Sequence, residues 1–378
     1  MFKIVVSVFL LFSIQKNTCS QSTNPADDLA LKIPQTGTRS VAGISNYIKE
    51  NFSTDSARIR AIYVWITHHI SYDFARVKTR NIKMNEAPQT VEDVLKTRAA
   101  VCHGYASLFV DLCNSMGIKA IFIGGYGKAG GMLGGLPHAW AAAEVKGSWY
   151  LFDPTWGAGY IRNEQFVWAF NNSFYMVPPD KMIKDHMPFD PMHQFLNHIV
   201  SNKEFLDGQT AINTSKPYFN YADTIRQHAL LSAADKAAAE ARRLEANGIP
   251  NPLLRDRLNH LRTEMGAYAG MNKFEESGKA FKQSMALLNE YINLKNKQFA
   301  AIEDSKLRQM TDSMSYYATQ ARTLLFSIVP RDESHRQNLA GNHQALEKLQ
   351  KRIMEEKDFV AKYLASDKAS RMQLFTRK

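Results

Sequence analysis

Cysteine is scarce in this chain, which has three among its 378 residues. Cys102 and Cys113 stand eleven residues apart in what reads as one helix, and that spacing corresponds to about 16 Å along a helix axis. A disulfide requires Cα atoms within about 7 Å of each other. The spacing therefore excludes a bridge between these two cysteines, and we expect both to be free thiols.

Long apolar runs are also scarce. Residues 4–14 form an apolar stretch after the basic Lys3, too short for the roughly 20 residues of a membrane-spanning helix. A short apolar core followed by the small residues at 18–20 is typical of a signal peptide cleaved before Gln21. The sequence thus predicts a signal peptide over residues 1–20, an exported protein that is periplasmic or secreted, and no integral membrane segment after cleavage.

A lipid anchor on Cys19 is the alternative to that prediction. Residues 16–18, Lys-Asn-Thr, lack the small and apolar character of a bacterial lipobox, so this alternative is the weaker one.

Dense blocks of basic residues are absent, although the formal net charge is +11. The lysines and arginines are scattered, and no basic patch is interleaved with stacking aromatic residues. This pattern argues against a nucleic-acid partner and favours at most a loose affinity for anionic surfaces or polymers.

The length and the composition indicate two folded domains. Hydrophobic residues make up 45% of the chain and charged residues 22%, values typical of folded proteins, and 378 residues exceed one ordinary core. We predict an N-terminal arm over residues 21–39, an α+β domain over 40–216 and an all-α domain over 217–378. Strand signals vanish in the last of these, where five helices are predicted: 232–247, 253–269, 274–295, 299–328 and 334–363.

The α+β domain is predicted to open with helices. Apolar spacing indicates one over residues 40–51, a second after the capping residues 53–55 and a short third after Thr90. Residues 73–88 are charged and irregular and are predicted to form a loop. Residues 157–206 are rich in aromatics and prolines and are expected to wrap the domain without adding a new core.

The chemistry concentrates between residues 97 and 157. Cys102 is predicted to begin a buried amphipathic helix that ends at Gly117. A strand over 118–123 and a glycine-rich, flexible loop over 124–135 follow, and the loop would cover a cleft.

A hairpin then brings a base and a carboxylate together. Strands over 138–145 and 149–152 flank the turn Lys146-Gly147, which would place His138 beside Asp153. A helix N-terminus and a nearby imidazolium both favour the thiolate that a cysteine nucleophile requires. The order Cys102, His138, Asp153 therefore predicts a triad of nucleophile, base and orienting carboxylate, although a small buried cysteine at a crowded helix contact is the simpler explanation for Cys102 alone.

These motifs resemble the transglutaminase-like superfamily, and specifically its kyphoscoliosis-peptidase-like branch, over residues 40–200. The segments that carry the resemblance are Arg98-x-x-Val101-Cys102-x-Gly104-Tyr105-Ala106, His138-Ala139-Trp140, Trp149-Tyr150-x-x-Asp153-Pro154-Thr155-Trp156, Phe174-Tyr175-Met176, His186-Met187-Pro188 and, upstream, Trp65 and Tyr72-Asp73.

The resemblance implies a papain-like α+β fold and an enzyme that works through a thioester on peptide or glutamine carboxamide bonds, as peptidase, deamidase or transglutaminase. It implies Cys102, His138 and Asp153 as the triad. The backbone N–H of Cys102 is an oxyanion donor; Trp65 is a second candidate, and Trp140 and Trp156 are cleft candidates. The expected substrate is a protein or a cell-wall peptide.

Two further hypotheses stay open. Many relatives have lost activity, so a non-catalytic binding or scaffold protein that keeps the fold is the alternative function, and the helical domain could dock a protein partner. A metal cluster of His186, His193 and His198 with Asp185 and Asp190 is the other hypothesis, but the spacing of these residues matches no zinc motif. We therefore predict no metal and no other cofactor.

Overall fold

The chain divides into two compact units between Tyr221 and Ala222. The computed structural model describes residues 25–80, 89–300 and 302–375. The predicted signal peptide and Cys19 lie outside these residues. None of the described helices combines the length and the apolar character that a bilayer span requires.

The N-terminal unit mixes helices and short strands, which confirms the predicted α+β class. Its helices are α1 (Pro25–Leu31), α2 (Val41–Asn51), α3 (Asp55–His69), α4 (Phe74–Arg80), α5 (Val91–Thr97), α6 (Cys102–Ser115), α7 (Pro154–Ala158), α8 (Pro179–Met182) and α9 (Asn202–Leu206). Its strands are β1 (Ser71–Tyr72), β2 (Ala99–Ala100), β3 (Ala120–Ala129), β4 (Met132–Leu133), β5 (His138–Val145), β6 (Ser148–Phe152), β7 (Gly159–Arg162), β8 (Gln165–Trp168) and β9 (His186–Pro188).

The central sheet is antiparallel. Its strand order is β4-β3-β5-β6, and β9 pairs with the second half of β3. Helices α2, α3 and α6 and strands β5 and β6 contribute to one core, in which Ile62, Phe109 and Phe152 are fully buried. The core thus fixes α6 next to the hairpin β5–β6.

Local sequence signals correctly predicted the helix starts. Ser40 caps α2, Thr54 caps α3, and Thr90 forms a reciprocal capping box with Asp93 at α5. Each cap supplies an oxygen acceptor to an otherwise unpaired N–H of the first turn. The hairpin was also predicted correctly, with Lys146 and Gly147 at positive φ in its turn.

The predicted loose arm is wrong for residues 25–39. Helix α1 lies against α3, where Asp27 accepts two hydrogen bonds from Arg60, at 2.8 and 2.6 Å. Ala30 is fully buried in the core of the unit. This segment is ordered by contacts with residues about thirty positions later in the chain, which a local pattern does not show.

The predicted loop at residues 73–88 is also wrong in part. Residues 74–80 form α4, while residues 81–88 lie outside the described part of the chain.

The glycine-rich segment is mostly strand rather than a flexible loop. Strand β3 continues to Ala129 and turns into β4. Gly125 pairs with His138 on one side and with Pro188 on the other. A Cβ at Gly125 would lie 2.2 Å from the Met187 carbonyl oxygen, so glycine here permits close approach of two backbones.

Residues 157–206 do more than wrap the domain. Their strand β9 extends the central sheet, and its residues His186, Met187 and Pro188 are all buried. The sheet therefore gains an edge strand that the sequence analysis did not predict.

The C-terminal unit is entirely helical in its described residues apart from turns. Its helices are α10 (Tyr221–Leu230), which begins at the boundary, α11 (Ala233–Ala246), α12 (Pro252–Asn296), α13 (Asp304–Phe326) and α14 (Glu333–Ala365). The two helices predicted over 253–269 and 274–295 are one continuous helix, α12. The interruption was wrong because a single Gly270 in a helix interior costs only about 1 kcal/mol and does not end the helix.

Candidate active site

Cys102 is the first residue of α6, preceded by Val101 as the N-cap. Its side chain is partly exposed, whereas Cys113 is buried, and both thiols are free. Gly104, one turn into the helix, lies so close to α5 and β2 that a Cβ would be 2.8 Å from both Val94 and Ala100. This close packing holds the start of α6, and with it the thiol, in a fixed position.

Tyr72 lies beside the start of α6. Strands β1 and β2 pair in parallel, with Tyr72 opposite Ala100, two residues before Cys102. Burial raises the pKa of Tyr72, and the charges of Cys102 and Asp153 raise it further. The phenol therefore stays protonated and able to donate a hydrogen bond near the thiol.

Asp153 is the fixed point of the site. It follows β6 and caps α7, where its Oδ1 accepts hydrogen bonds from the backbone N–H groups of Thr155 at 2.8 Å and Trp156 at 3.1 Å. Its Oδ2 accepts a hydrogen bond from His138 Nε2 at 2.7 Å. Burial would raise the pKa of Asp153, but the charge of His138 and the hydrogen bonds from His138 and His186 lower it well below its ordinary value.

His138 connects the carboxylate to the thiol. Burial alone would lower its pKa, but the charge of Asp153, the hydrogen bond to Asp153 and a hydrogen bond with Cys102 raise it to about 10. Because Nε2 is engaged by Asp153, Nδ1 is the ring nitrogen that remains for Cys102. Trp156 stacks on the ring, with centroids 5.1 Å apart. The structure thus brings together the three residues predicted as a triad.

A second histidine, His186, meets the same carboxylate oxygen. Its Nε2 lies 3.0 Å from Asp153 Oδ2, and its Nδ1 lies 2.6 Å from Asp185 Oδ1. The side chain is 1% exposed. The sequence places His186 only in the family motif and in an unsupported metal cluster, because its partner Asp153 lies 33 residues earlier.

Among the described residues, the side chains of His138, Asp153 and His186 form the group that could hold a metal ion. One ligand atom each from His138, Asp153 and His186 lies within 4.8 Å of the others. The grouping differs from the cluster weighed in the sequence, because His186 joins the triad residues rather than His193 or His198. The Nε2 atoms of His138 and His186 lie at hydrogen-bond distance from Asp153 Oδ2. Hydrogen bonds alone therefore account for this arrangement.

The three tryptophan candidates occupy different positions. Trp156 is partly exposed and lies over His138. Trp140 is fully buried, with its ring 5.0 Å from that of His186. Trp65 is fully buried, stacked on His69 and faced by Arg98. The indole Nε1 of both Trp65 and Trp140 is buried without a hydrogen-bond acceptor among the described residues, so only Trp156 is placed as an open cleft wall.

This fold and this arrangement of residues define a transglutaminase-like domain. Residues 42–154 match the family model of the transglutaminase-like superfamily. This region of the N-terminal unit therefore resembles the transglutaminase-like superfamily, and specifically its kyphoscoliosis-peptidase-like branch.

The relatives share one region with this chain. This chain is 33% identical over 160 residues to kyphoscoliosis peptidase of Homo sapiens, and the match covers 40% of this chain and 24% of that protein. It is 34% identical over 170 residues to kyphoscoliosis peptidase of Mus musculus, covering 43% of this chain and 25% of that protein. Hillarin of Drosophila melanogaster is 21% identical over 201 residues, covering 47% of this chain and 24% of that protein. The chain spans about a quarter of the length of these relatives.

Proposed function

We propose that the N-terminal unit is a cysteine acyl-transfer enzyme that acts on carboxamide or peptide bonds. The observation that carries the proposal is the position of His138 between the buried carboxylate of Asp153, at 2.7 Å, and the thiol of Cys102 at the start of a helix. An imidazole held in this way takes and returns protons at one fixed atom, Nδ1.

The first half of the reaction forms a thioester. His138 holds the proton of Cys102, and the thiolate Sγ attacks the carbonyl carbon of the substrate. The tetrahedral intermediate collapses as the carbon–nitrogen bond breaks, and His138 gives its proton to the leaving ammonia or amine. Asp153 keeps the imidazolium oriented and compensates its charge throughout.

The second half releases the acyl group. Water or an acceptor amine attacks the thioester carbonyl, His138 takes its proton, and Cys102 leaves as thiolate. Water gives hydrolysis or deamidation, whereas an amine gives a cross-link. The site chemistry is the same in each case, and the acceptor decides the product.

The developing oxyanion needs donors. As the first residue of α6, Cys102 has a backbone N–H with no acceptor inside the helix. Tyr72, held opposite Ala100, and Trp65, whose Nε1 is buried without a partner among the described residues, are the candidates for the second donor. Each donor of this kind typically contributes about 3 kcal/mol to the stabilisation of the transition state.

The expected substrate is a protein or a cell-wall peptide. Incubation with a glutamine-rich protein and a dansylated amine separates the reaction types by fluorescence incorporation, ammonia release and peptide cleavage. Incorporation supports cross-linking, ammonia alone supports deamidation, and new peptide termini support a peptidase; each signal is expected to vanish in Cys102→Ala.

The alternative is a binding or scaffold protein. If none of the three products forms with any protein or wall peptide tested, and Cys102→Ala leaves ligand capture unchanged, the non-catalytic function replaces the proposal.

The proposed extracellular or periplasmic location is supported by residues 1–20 of the sequence. Sequencing of the N-terminus of the protein from its own host tests it. A mature chain that begins at Gln21 supports export, and one that begins at Met1 contradicts it.

A further inference from the structure

We propose that His186 is a positioning residue of the site: it holds Asp153 in the orientation in which Oδ2 faces His138. The inference rests on the proposed function and deepens it, because a positioning role has meaning only where His138 exchanges protons with Cys102.

The first observation is that hydrogen bonds hold both carboxylate oxygens of Asp153. Its Oδ1 is held by two backbone N–H groups of α7, and its Oδ2 by His138 at 2.7 Å and His186 at 3.0 Å. Without His186, the backbone bonds would still hold Oδ1, but Oδ2 would depend on His138 alone. His138 is the ring that must change its protonation during each turnover, so a second donor keeps the carboxylate in place while it does.

The second observation is that His186 is itself fixed from the opposite side. Its Nδ1 faces Asp185 Oδ1 at 2.6 Å, and the rings of Trp140, Trp156 and Phe174 surround it with centroids 4.4 to 6.0 Å away. Both ring nitrogens thus face carboxylate oxygens. The side chain is thereby held in one orientation, with Nε2 directed at Asp153.

The third observation explains how the histidine reaches the site. Strand β9 pairs with β3, with His186 opposite Gly127 and Pro188 opposite Gly125, and Gly125 in turn pairs with His138. A Cβ at Gly127 would lie 3.1 Å from both the Asp185 carbonyl oxygen and the Trp156 ring. The glycines of β3 thus bring the strand that carries His186 and the strand that carries His138 to the same place in the sheet.

Two substitutions of His186 test this role, because each retains a nitrogen at only one of the two ring-nitrogen positions. The amide nitrogen of Gln occupies the place of histidine Nε2, so His186→Gln retains a donor to Asp153. The amide nitrogen of Asn occupies the place of Nδ1, so His186→Asn retains only the contact with Asp185. Both variants are polar and smaller than histidine, which makes them matched controls for each other.

The measurement is the rate of iodoacetamide alkylation of Cys102 near neutral pH, followed by mass spectrometry in the full-length protein. Cys113, which is buried, is the internal reference. We expect His186→Asn to slow the reaction about 10- to 100-fold, by analogy with the loss of an outer hydrogen-bond partner at a metal site. His186→Gln should stay within a few-fold of the wild type.

A double-mutant cycle shows whether His186 acts through Asp153. In an Asp153→Asn background, His186→Asn should produce no further slowing, because the oxygen that it positions has been replaced. Tryptophan fluorescence melting of each variant reports folding. His198→Asn, in the same part of the chain, keeps an amide nitrogen at the position of Nδ1, which contacts the Lys216 carbonyl oxygen, and should leave the rate unchanged.

The outcomes separate the two claims. If Cys102 of the wild type reacts no faster than Cys113, the proposed function fails. If the wild type reacts fast but His186→Gln and His186→Asn behave alike, or His186→Asn slows the Asp153→Asn protein equally, the positioning role is overturned while the proposed function stands.

Discussion

Each unit of this protein buries a carboxylate, and the two carboxylates have different kinds of partners. Glu356 in α14 is 1% exposed and is met by Lys295 and, at 2.6 Å, by Arg352. Asp153 is fully buried and is met by His138 and His186. Lysine and arginine side chains only donate hydrogen bonds, whereas each ring nitrogen of a histidine can donate or accept one.

The difference teaches how burial is used in each unit. The ion pairs of Glu356 hold a constant charge and can only join helices. In the network of Asp153, the proposed function requires His138 to exchange protons with the thiol of Cys102. A buried carboxylate is therefore a structural group or part of a reactive site according to whether its partners can change charge.

The largest expected effect comes from removing the charge of Asp153. Asp153→Asn preserves shape but deprives His138 of the charge that raises its pKa to about 10. The imidazolium beside Cys102 is then lost at a lower pH, so the rise of the alkylation rate with pH should move to higher pH. We expect alkylation near pH 6 to fall about 100-fold or more, measured as a pH profile from iodoacetamide rates. An unchanged pH profile would contradict the assigned role of Asp153.

The second effect tests the glycine-rich strand. Gly125→Ala places a Cβ 2.2 Å from the Met187 carbonyl oxygen and 2.5 Å from Trp140, and should destabilise the N-terminal unit by about 3 kcal/mol. Gly135→Ala is the matched control, because its Cβ meets nothing within 4 Å, and should change stability by less than about 0.5 kcal/mol. Equal melting temperatures for the two variants would show that β3 and β9 are not closely paired.

The third effect separates the units by pH. His138 has a folded-state pKa of about 10, above its ordinary value of about 6.5. Its contribution to stability is complete below about pH 6.5 and is lost as the pH rises toward 10. Asp153, with a lowered pKa, contributes fully above about pH 4 and loses that contribution as the pH falls further.

Tryptophan fluorescence measures this effect in one unit, because all five tryptophans lie between residues 65 and 168. We expect the free energy of unfolding of the N-terminal unit to fall by roughly 2 kcal/mol between pH 7 and pH 10. Far-ultraviolet circular dichroism, dominated by the long helices of the C-terminal unit, should change less. A larger loss of stability at alkaline pH in the circular dichroism signal than in the fluorescence signal would contradict this prediction.

The smallest effect concerns the helical unit. Glu356→Gln leaves Lys295 and Arg352 without their buried partner and should destabilise this unit by about 2 kcal/mol, since both cations keep partial access to solvent. Glu355→Gln, an exposed neighbour, should cost less than about 0.5 kcal/mol. Thermal melting followed by circular dichroism measures both. Cys102 alkylation is expected to be unchanged in each, and a slowed reaction would contradict a purely structural role for Glu356.

Local features of the site could be read from the sequence. The start of α6 at Cys102 and the hairpin that brings His138 to Asp153 follow from helical periodicity and a two-residue turn. Both signals lie within about 15 residues of the groups that they position, so short-range patterns were sufficient.

The long-range features could not. His186 reaches Asp153 only because β9 pairs with β3, and nothing near His186 in the sequence indicates that pairing. The glycines of β3 suggested flexibility because glycine serves loops and close backbone approach equally well. For a related reason the sequence predicts two helices where α12 is continuous. Tertiary packing along a helix outweighs the free-energy cost of one glycine.

The central claim is that His138, held by Asp153, activates the thiol of Cys102. The most direct test compares the iodoacetamide rates of Cys102 and Cys113 in the wild type and in His138→Ala near neutral pH. The account predicts that Cys102 reacts about 100-fold faster than Cys113 in the wild type and loses most of that advantage in His138→Ala. Equal, slow labelling of both thiols in the wild type would contradict it.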